Sequence, residues 1–374
     1  MTEIAQANTR TAVRRIDGVD TARGLALIGM FIAHAAPAAL TPDGAELLAI
    51  ADERPRLLFA LTAGLALGFI SGGTRPFPAA PGFAGGPARR RLRRQISIRA
   101  VILIALGLVI TATLAPLVFI ILDVYGVAFL VMLPLLFLPR GVALGAGIAG
   151  LAIAPGLAVV LSRQQFVADA RLAGIGLPVD WFIAGAYPVI EWVPVMLIGL
   201  ALARYGVGRP RVVAWTALVG AVAAMLFLPA GIALLRLGEE QQTDPSVAAS
   251  SIVSFAFGES LQAVGNVGVG AFIVAASITL TALAREPVRR VASALLSPIT
   301  AMGAMPFTIY TVHLVILAAS IRVENGFKTD DSWPLTIGLV VGSMVFAWCW
   351  RRFVGRGPLE MAMRLAAGRT SVQG

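Results

Sequence analysis

Long apolar runs recur along the whole chain, separated by short polar joints, and the runs set the predicted elements. A helix needs about 20 apolar residues to cross the hydrocarbon core of a bilayer. A window of that length finds ten candidate spans, at 22–40, 57–73, 97–115, 120–138, 142–161, 187–204, 212–234, 264–284, 301–320 and 334–351. The closest joint lies near Pro116, between the third and fourth. No internal repeat and no convincing strand is visible, and no polar stretch is long enough for an appended soluble domain. The expected fold is all-α, a single polytopic membrane domain over residues 1–374.

Composition agrees with that pattern. The 374 residues are 58% hydrophobic and 13% charged, with a mean hydropathy of +0.84. Soluble domains carry about 25% charge. A soluble enzyme, a disordered chain and a fibrous repeat are excluded together.

The net charge of +10 and the pI near 11.1 would suit a nucleic-acid binder. The positions of the charges say otherwise. Lys328 is the only lysine, so the cations are almost all arginine, a composition expected of a GC-rich genome. With ten spans, 23 of the 30 cations fall on one side, including Arg10, Arg14 and Arg15, the cluster Arg89–Arg94, and Arg369. The other side holds 15 of the 20 acids. This is the positive-inside distribution, with both termini cytoplasmic. It assigns the chain to the bacterial cytoplasmic membrane and removes nucleic acid from the expected partners. Arg89–Arg94 also suits anionic lipid, although a plain topology signal accounts for it as well. Ala35–Ala39 slightly resembles a cleavage region, but the first apolar run is long and carries His34, so it is read as a retained span.

Ionisable groups at bilayer depth are costly and point to function. The first span carries Asp20, Arg23 and His34. Arg23 and His34 are eleven positions apart, which at 100° per residue returns to within about 20° of the same face, about 16 Å along the axis. Asp20 and Arg23, at i,i+3, can pair. That arrangement suits an extended ligand, with its anionic end at Arg23 and its reactive end at His34. An imidazole there can act as base or nucleophile in acyl transfer, or can simply bond a neighbouring helix. In the ninth span Tyr310 and His313 share a face, with Thr308 just before them, and the two histidines are expected to share one cavity. Asp123, with Tyr125 close behind, and Glu191 open their spans at the far side, where a carboxylate can orient an imidazole, bind an acceptor or be solvated. Arg54 and Arg56 are read as solvated loop charges. Arg99 and Arg140 are further cations suited to phosphate. Two histidines and no acidic cluster make no metal set, and the single Cys349 allows no intramolecular disulfide.

The segment Arg15–Met30, then Leu58–Gly64, Asp123–Gly126, Gly303–His313 and Gly357–Glu360, resembles in order the YeiB-like membrane proteins, which are related to the lysosomal heparan-α-glucosaminide N-acetyltransferase. The most characteristic stretches are 15–34, 303–313 and 357–360. The Arg23-to-His34 spacing also resembles the arginine–ten residues–histidine signature of membrane O-acyltransferases. The resemblance implies acyl-CoA, chiefly acetyl-CoA, as cytoplasmic co-substrate, and a glycan or glycolipid of the cell envelope as acceptor. By that carry-over His34 is the catalytic imidazole with Arg23 essential beside it. Asp20 and His313 assist, and Arg23, Arg99 and Arg140 hold the CoA phosphates. Asp123, Tyr125, Glu191, Thr308 and Tyr310 bind substrate or orient the imidazole. One departure matters: the lysosomal enzyme places its key histidine in the loop after the first span, and this chain has no histidine between 35 and 312.

Two other classes stay open. A transporter or flippase of an amphiphilic solute fits ten spans with buried polar groups, against which no repeated pair of Gly/Pro-broken spans is seen. A non-catalytic scaffold leaves Arg23 and His34 unexplained. Expected partners are membrane lipid, the acceptor and, as an open alternative, a second copy of the chain.

Overall fold

The computed structural model describes residues 16–39, 41, 44, 48, 51, 53–81 and 85–368. Arg10, Arg14, Arg15 and Arg369 of the charge pattern, and the end of the first candidate span at residue 40, lie outside these residues.

The described chain is helical almost throughout. Its first half comprises α1 (Asp17–Ala35), α2 (Glu53–Ile70), α3 (Pro87–Thr113), α4 (Leu122–Leu135), α5 (Arg140–Ser162) and α6 (Gln165–Leu172). A short helical segment at Gly176–Ala184 leads into α7 (Val189–Tyr205). There follow α8 (Pro210–Thr243), α9 (Ser251–Ile278), α10 (Glu286–Leu295), α11 (Ser297–Ala304) and α12 (Pro306–Ala319). A small ribbon then precedes α13 (Trp333–Phe353) and α14 (Pro358–Ala367). The ribbon pairs β1 (Arg322–Glu324) with β2 (Phe327–Thr329), antiparallel, in the register Arg322 to Thr329. Asn325 and Gly326 turn it at φ of 52° and 84°, the left-handed geometry that Asn-Gly supplies in two-residue hairpins. No strand was expected from the sequence; three residues a side are too few to show alternation.

Five helices are long and apolar enough to cross a membrane, or up to seven if each of two bent pairs counts as one span. The pairs are 176–184 with α7, bent by 46°, and α11 with α12, bent by 88°. The chain is thus a helical membrane protein. α1 and α2 interrupt their apolar runs with Asp20, Arg23 and His34 and with Arg54 and Arg56, and α4 is a 14-residue apolar helix. Several windows differ from the helices they mark. The span expected at 301–320 breaks at Met305, because the residue before Pro306 is pushed out of the α region, here to φ −133° and ψ 53°. α3 begins ten residues early, since the run Arg89–Arg94 is itself a good helix former. α9 begins well before 264 because Ser251, Ser254 and Glu259 hide its first turns from a hydropathy window.

Helices meet closely where they lack side chains, as membrane bundles do. The tightest crossing joins α11 to the first turns of α1. A methyl group at Gly303 would run into the carbonyl oxygen of Asp20 and the amide of Gly24, and one at Gly24 into the carbonyl of Ile299. Thr21 and Thr300 share a hydrogen bond of 2.8 Å across this crossing. Gly303→Ala is expected to lose about 1–3 kcal/mol, the usual cost of forcing extra volume into a packed contact. Thermal unfolding in detergent measures it, and a midpoint equal to wild type would refute the close packing.

Candidate active site

α1 is one unbroken helix, so the eleven-residue interval from Arg23 to His34 is a true helical one. Arg23 is held from three sides. Nη1 donates to Asp20 Oδ1 at 3.0 Å and to the Gly303 carbonyl at 3.2 Å, while Nη2 donates to the Thr62 carbonyl at 3.2 Å. Its guanidinium therefore ties α1 to α2 and α11.

At the other end of α1, His34 meets His313 of α12. The Nδ1 of His34 lies 3.1 Å from the Nε2 of His313, and the rings are nearly parallel at 14°. The Nδ1 of His313 lies 2.5 Å from the Tyr310 carbonyl oxygen. These contacts fix the tautomers. A carbonyl only accepts, so His313 Nδ1 carries a hydrogen and, in the neutral ring, its Nε2 is an acceptor. His34 then donates from Nδ1, and its lone pair is left on Nε2. His313 is fully buried against Phe31 and Tyr310, whereas His34 is half-buried. A partly accessible imidazole oriented by a second, buried one follows the logic of base and orienter in catalytic triads.

A cavity of about 340 Å³ lies between α2, α3, α4, the break between α11 and α12, and α14; neither histidine lines it, so the expected shared cavity is not this one. Arg99, Arg356 and Arg364 contribute cations to its wall, Tyr125 and Tyr310 contribute phenols, and Phe59 and Phe307 are among its apolar residues. Glu360 is the one carboxylate in the lining, and it is already engaged. Its Oε1 accepts from the amides of Phe307 at 2.8 Å and Thr308 at 3.1 Å, and its Oε2 accepts from the Thr308 hydroxyl at 2.5 Å. A carboxylate at those free amides answers the positive end of α12. The remaining charge of the cavity is positive, and Arg99 Nε is buried with no hydrogen-bond partner. An orphaned buried donor costs about 1–3 kcal/mol, which an anionic ligand would relieve. The residues present thus fit the phosphate end of a molecule such as acyl-CoA.

Glu360→Ala should uncap α12 and release α14, at a cost of about 0.5–2 kcal/mol for the lost cap. Amide hydrogen exchange measures it: Phe307 and Thr308 should exchange faster, and unchanged protection there would contradict the capping role.

Tyr310 links the cavity to the histidines, since its ring lines the cavity and its carbonyl holds His313. Its hydroxyl accepts from the Ile121 amide at 3.1 Å. Just beyond, at the start of α4, Asp123 Oδ2 accepts from Trp181 Nε1 at 2.7 Å, while its Oδ1 is buried with no hydrogen-bond partner. Glu191 pairs with Arg56 at 3.5 Å, and Arg56 lies over the Tyr187 ring. Trp192 is completely buried between Tyr125 and Tyr187, and its Nε1 also lacks a hydrogen-bond partner.

The candidates named from the sequence therefore fall into groups. His34 and His313 touch. Arg99, Tyr125 and Tyr310 line the cavity, Asp123 and Glu191 belong to the polar cluster next to it, and Thr308 is bonded to Glu360. Arg23 and Asp20 form a clamp outside the cavity lining, and Arg140 is exposed, stacked on Tyr205. Arg54 and Arg56 correct the expectation of solvated loop charges: Arg54 bonds the buried Asn266 at 3.3 Å, and the Arg56 side chain is only 12% exposed. Sequence reasoning missed Arg356, Arg364, Glu360 and Trp181 as site residues. Only Glu360 had a signal, as the end of the Gly-Pro-Leu-Glu motif. Among the described residues, no group of three or more His, Cys, Asp or Glu is placed to hold a metal ion.

Residues 15–229, more than half of the chain, match the family described as heparan-alpha-glucosaminide N-acetyltransferase, catalytic. Residues 202–370 match the family described as protein of unknown function (DUF418). No curated protein matches the chain. The chain belongs to the YeiB-like proteins of the heparan-α-glucosaminide N-acetyltransferase catalytic family, membrane proteins of acetyltransferase type.

Proposed function

We propose that this protein transfers an acyl group, chiefly acetyl, from cytoplasmic acyl-CoA to a sugar or glycolipid acceptor of the cell envelope. The observation that carries the reading is the chain His34–His313–Tyr310, at 3.1 and 2.5 Å, which leaves a lone pair on His34 Nε2 and ends at Tyr310, a residue of the cation-lined cavity.

In this reading Arg99, Arg356 and Arg364 hold the phosphates of the donor, through the charge-assisted fork contacts that arginine makes. The acyl arm runs inward along Phe59 and Tyr125 to Tyr310. Tyr310 precedes His313 by three residues, so the thioester must pass it by about one helical turn, ~5 Å, to meet His34. His34 Nε2 takes the proton of the acceptor hydroxyl or amine as that atom attacks the thioester carbonyl. The carbon–sulfur bond breaks, and the same proton passes to the departing thiolate. His313 keeps the His34 ring oriented throughout. Arg23 and Asp20 act by position, fixing α1 against α2 and α11. Asp123, Glu191 and their aromatic neighbours receive the acceptor.

The topology of this reading has ten spans and both termini in the cytoplasm of a bacterium, in its cytoplasmic membrane. The distribution of 23 of 30 cations supports it. Membrane lipid and the acceptor are its required partners, and a homodimer is compatible with it.

The test incubates purified protein with radiolabelled acetyl-CoA and an envelope lipid and glycan extract. Label should leave CoA and enter the extract, or rest on the protein if His34 itself carries the acyl group. Absence of both acetyl-CoA binding and transfer would overturn the reading.

A further inference from the structure

A second hollow, of about 610 Å³, lies on the flank of the polar cluster, between α4, α5, α7 and the segment 176–184. Its lining side chains carry no charge and no polar group. Val131, Ile153, Leu157, Phe182 and Ile190 form much of it, and Ala149, Gly150 and Ala154 leave the room. Ile153 is 62% exposed and Phe182 42% exposed, so the hollow opens sideways, toward the lipid of a surrounding bilayer.

The segments that wall it also carry the polar cluster. Phe182 lines the hollow, and its neighbour Trp181 donates to Asp123. Ile190 lines the hollow, and its neighbour Glu191 pairs with Arg56. The cluster itself holds two buried groups with no hydrogen-bond partner, an acceptor in Asp123 Oδ1 and a donor in Trp192 Nε1. A sugar hydroxyl both donates and accepts, so it can answer either. An apolar hollow of this volume, flanked by convergent polar groups one residue away on the same segments, has the make-up of a site for an amphiphile.

We propose that the acceptor is a lipid-linked sugar, its hydrocarbon chain seated in the hollow between α4, α5 and α7 and its sugar presented to the Asp123–Trp181–Trp192 cluster. This rests on the acyltransferase reading and specifies its acceptor. The chain enters laterally from the membrane, which explains why the hollow is both apolar and open. A soluble glycan would leave it with nothing to hold.

Photolabelling tests the site without the reaction. Protein in nanodiscs is exposed to a glycosyl diacylglycerol carrying a diazirine in one acyl chain, or to a phosphatidylcholine with the same chain at equal mole fraction. No acetyl-CoA is added during labelling; its binding and transfer are measured separately on the same preparations. The glycolipid should label peptides covering 149–161 and 182–193 at least fivefold more than the phosphatidylcholine does. Ala149→Phe and, separately, Ile153→Trp, both at lipid-exposed positions, should remove that excess while acetyl-CoA binding stays at the wild-type value. Equal labelling by the two lipids, meaning ordinary boundary lipid only, would overturn the proposal, as would an excess that survives both substitutions. Preferential labelling without any acetyl transfer would instead overturn the acyltransferase reading. Transfer with equal labelling would overturn the lipid-linked acceptor alone.

Discussion

His34→Ala removes acetyl transfer while leaving acetyl-CoA binding intact, with kcat falling by about 10³-fold. A positioned base contributes about 10²–10⁴-fold, and in this site His34 is the imidazole with an available lone pair. His313 cannot replace it, because that ring is fully buried and both its nitrogens are engaged. His313→Ala should therefore give a smaller loss, since it removes the orienting partner and frees the His34 tautomer without removing the base. His34→Ala with unchanged kcat would eliminate this site, and an equal loss of binding would show that the histidine holds the donor rather than acting on it. The readouts are steady-state transfer of radiolabel and equilibrium binding of acetyl-CoA, measured on the same preparations.

Arg99→Gln gives the complementary result: acetyl-CoA binds about 10–100-fold more weakly, while kcat at saturation stays near wild type. A hydrogen bond to a charged group contributes about 1.5–3 kcal/mol, and each 1.4 kcal/mol is a factor of ten in affinity. Arg99 is the member of the basic set that the bundle most encloses, on α3 with its Nε buried and without a hydrogen-bond partner. Its interaction with an anion is thus less screened than that of the exposed Arg356. Arg140→Gln, by contrast, should leave binding unchanged, because that side chain stacks on Tyr205 outside the cavity. A fall in kcat without a change in affinity for Arg99→Gln would place the phosphates elsewhere.

The parts of this picture that could be read in the sequence are local or periodic. The apolar windows locate most of the helices, and the eleven-residue interval from Arg23 to His34 can be counted because α1 runs unbroken through both. Placing His313 near His34 followed from depth, since only two histidines exist and each lies well along its apolar segment. The rest depends on long-range packing. Arg356 and Arg364 reach the cavity only because α14 folds back beneath α12, anchored by Glu360 at the amides of Phe307 and Thr308. No periodicity in the chain announces a contact between residues 307 and 360. Arg54 and Arg56 look like loop charges until α2 is seen to begin at Glu53, which carries them into contact with Asn266 and Glu191. The break at Met305 had a visible cause in Pro306, but its 88° bend sets α12 beside α1, and that geometry comes from the Gly24–Gly303 crossing.

The histidine tautomers were equally beyond the sequence. They depend on the direction of two rings and on the carbonyl of Tyr310, none of which is encoded in residue type.

In the proposed reaction the protein moves an acyl group from CoA on one side of the membrane to an acceptor on the other. Sealed proteoliposomes of uniform orientation test it most directly. Radiolabelled acetyl-CoA is supplied only on the side carrying the Arg89–Arg94 segment, and glycolipid acceptor is present in both leaflets. Label is expected on acceptor in the opposite leaflet, at a rate that His34→Ala reduces about 10³-fold. Label confined to the acetyl-CoA side, or none transferred from CoA at all, would contradict it.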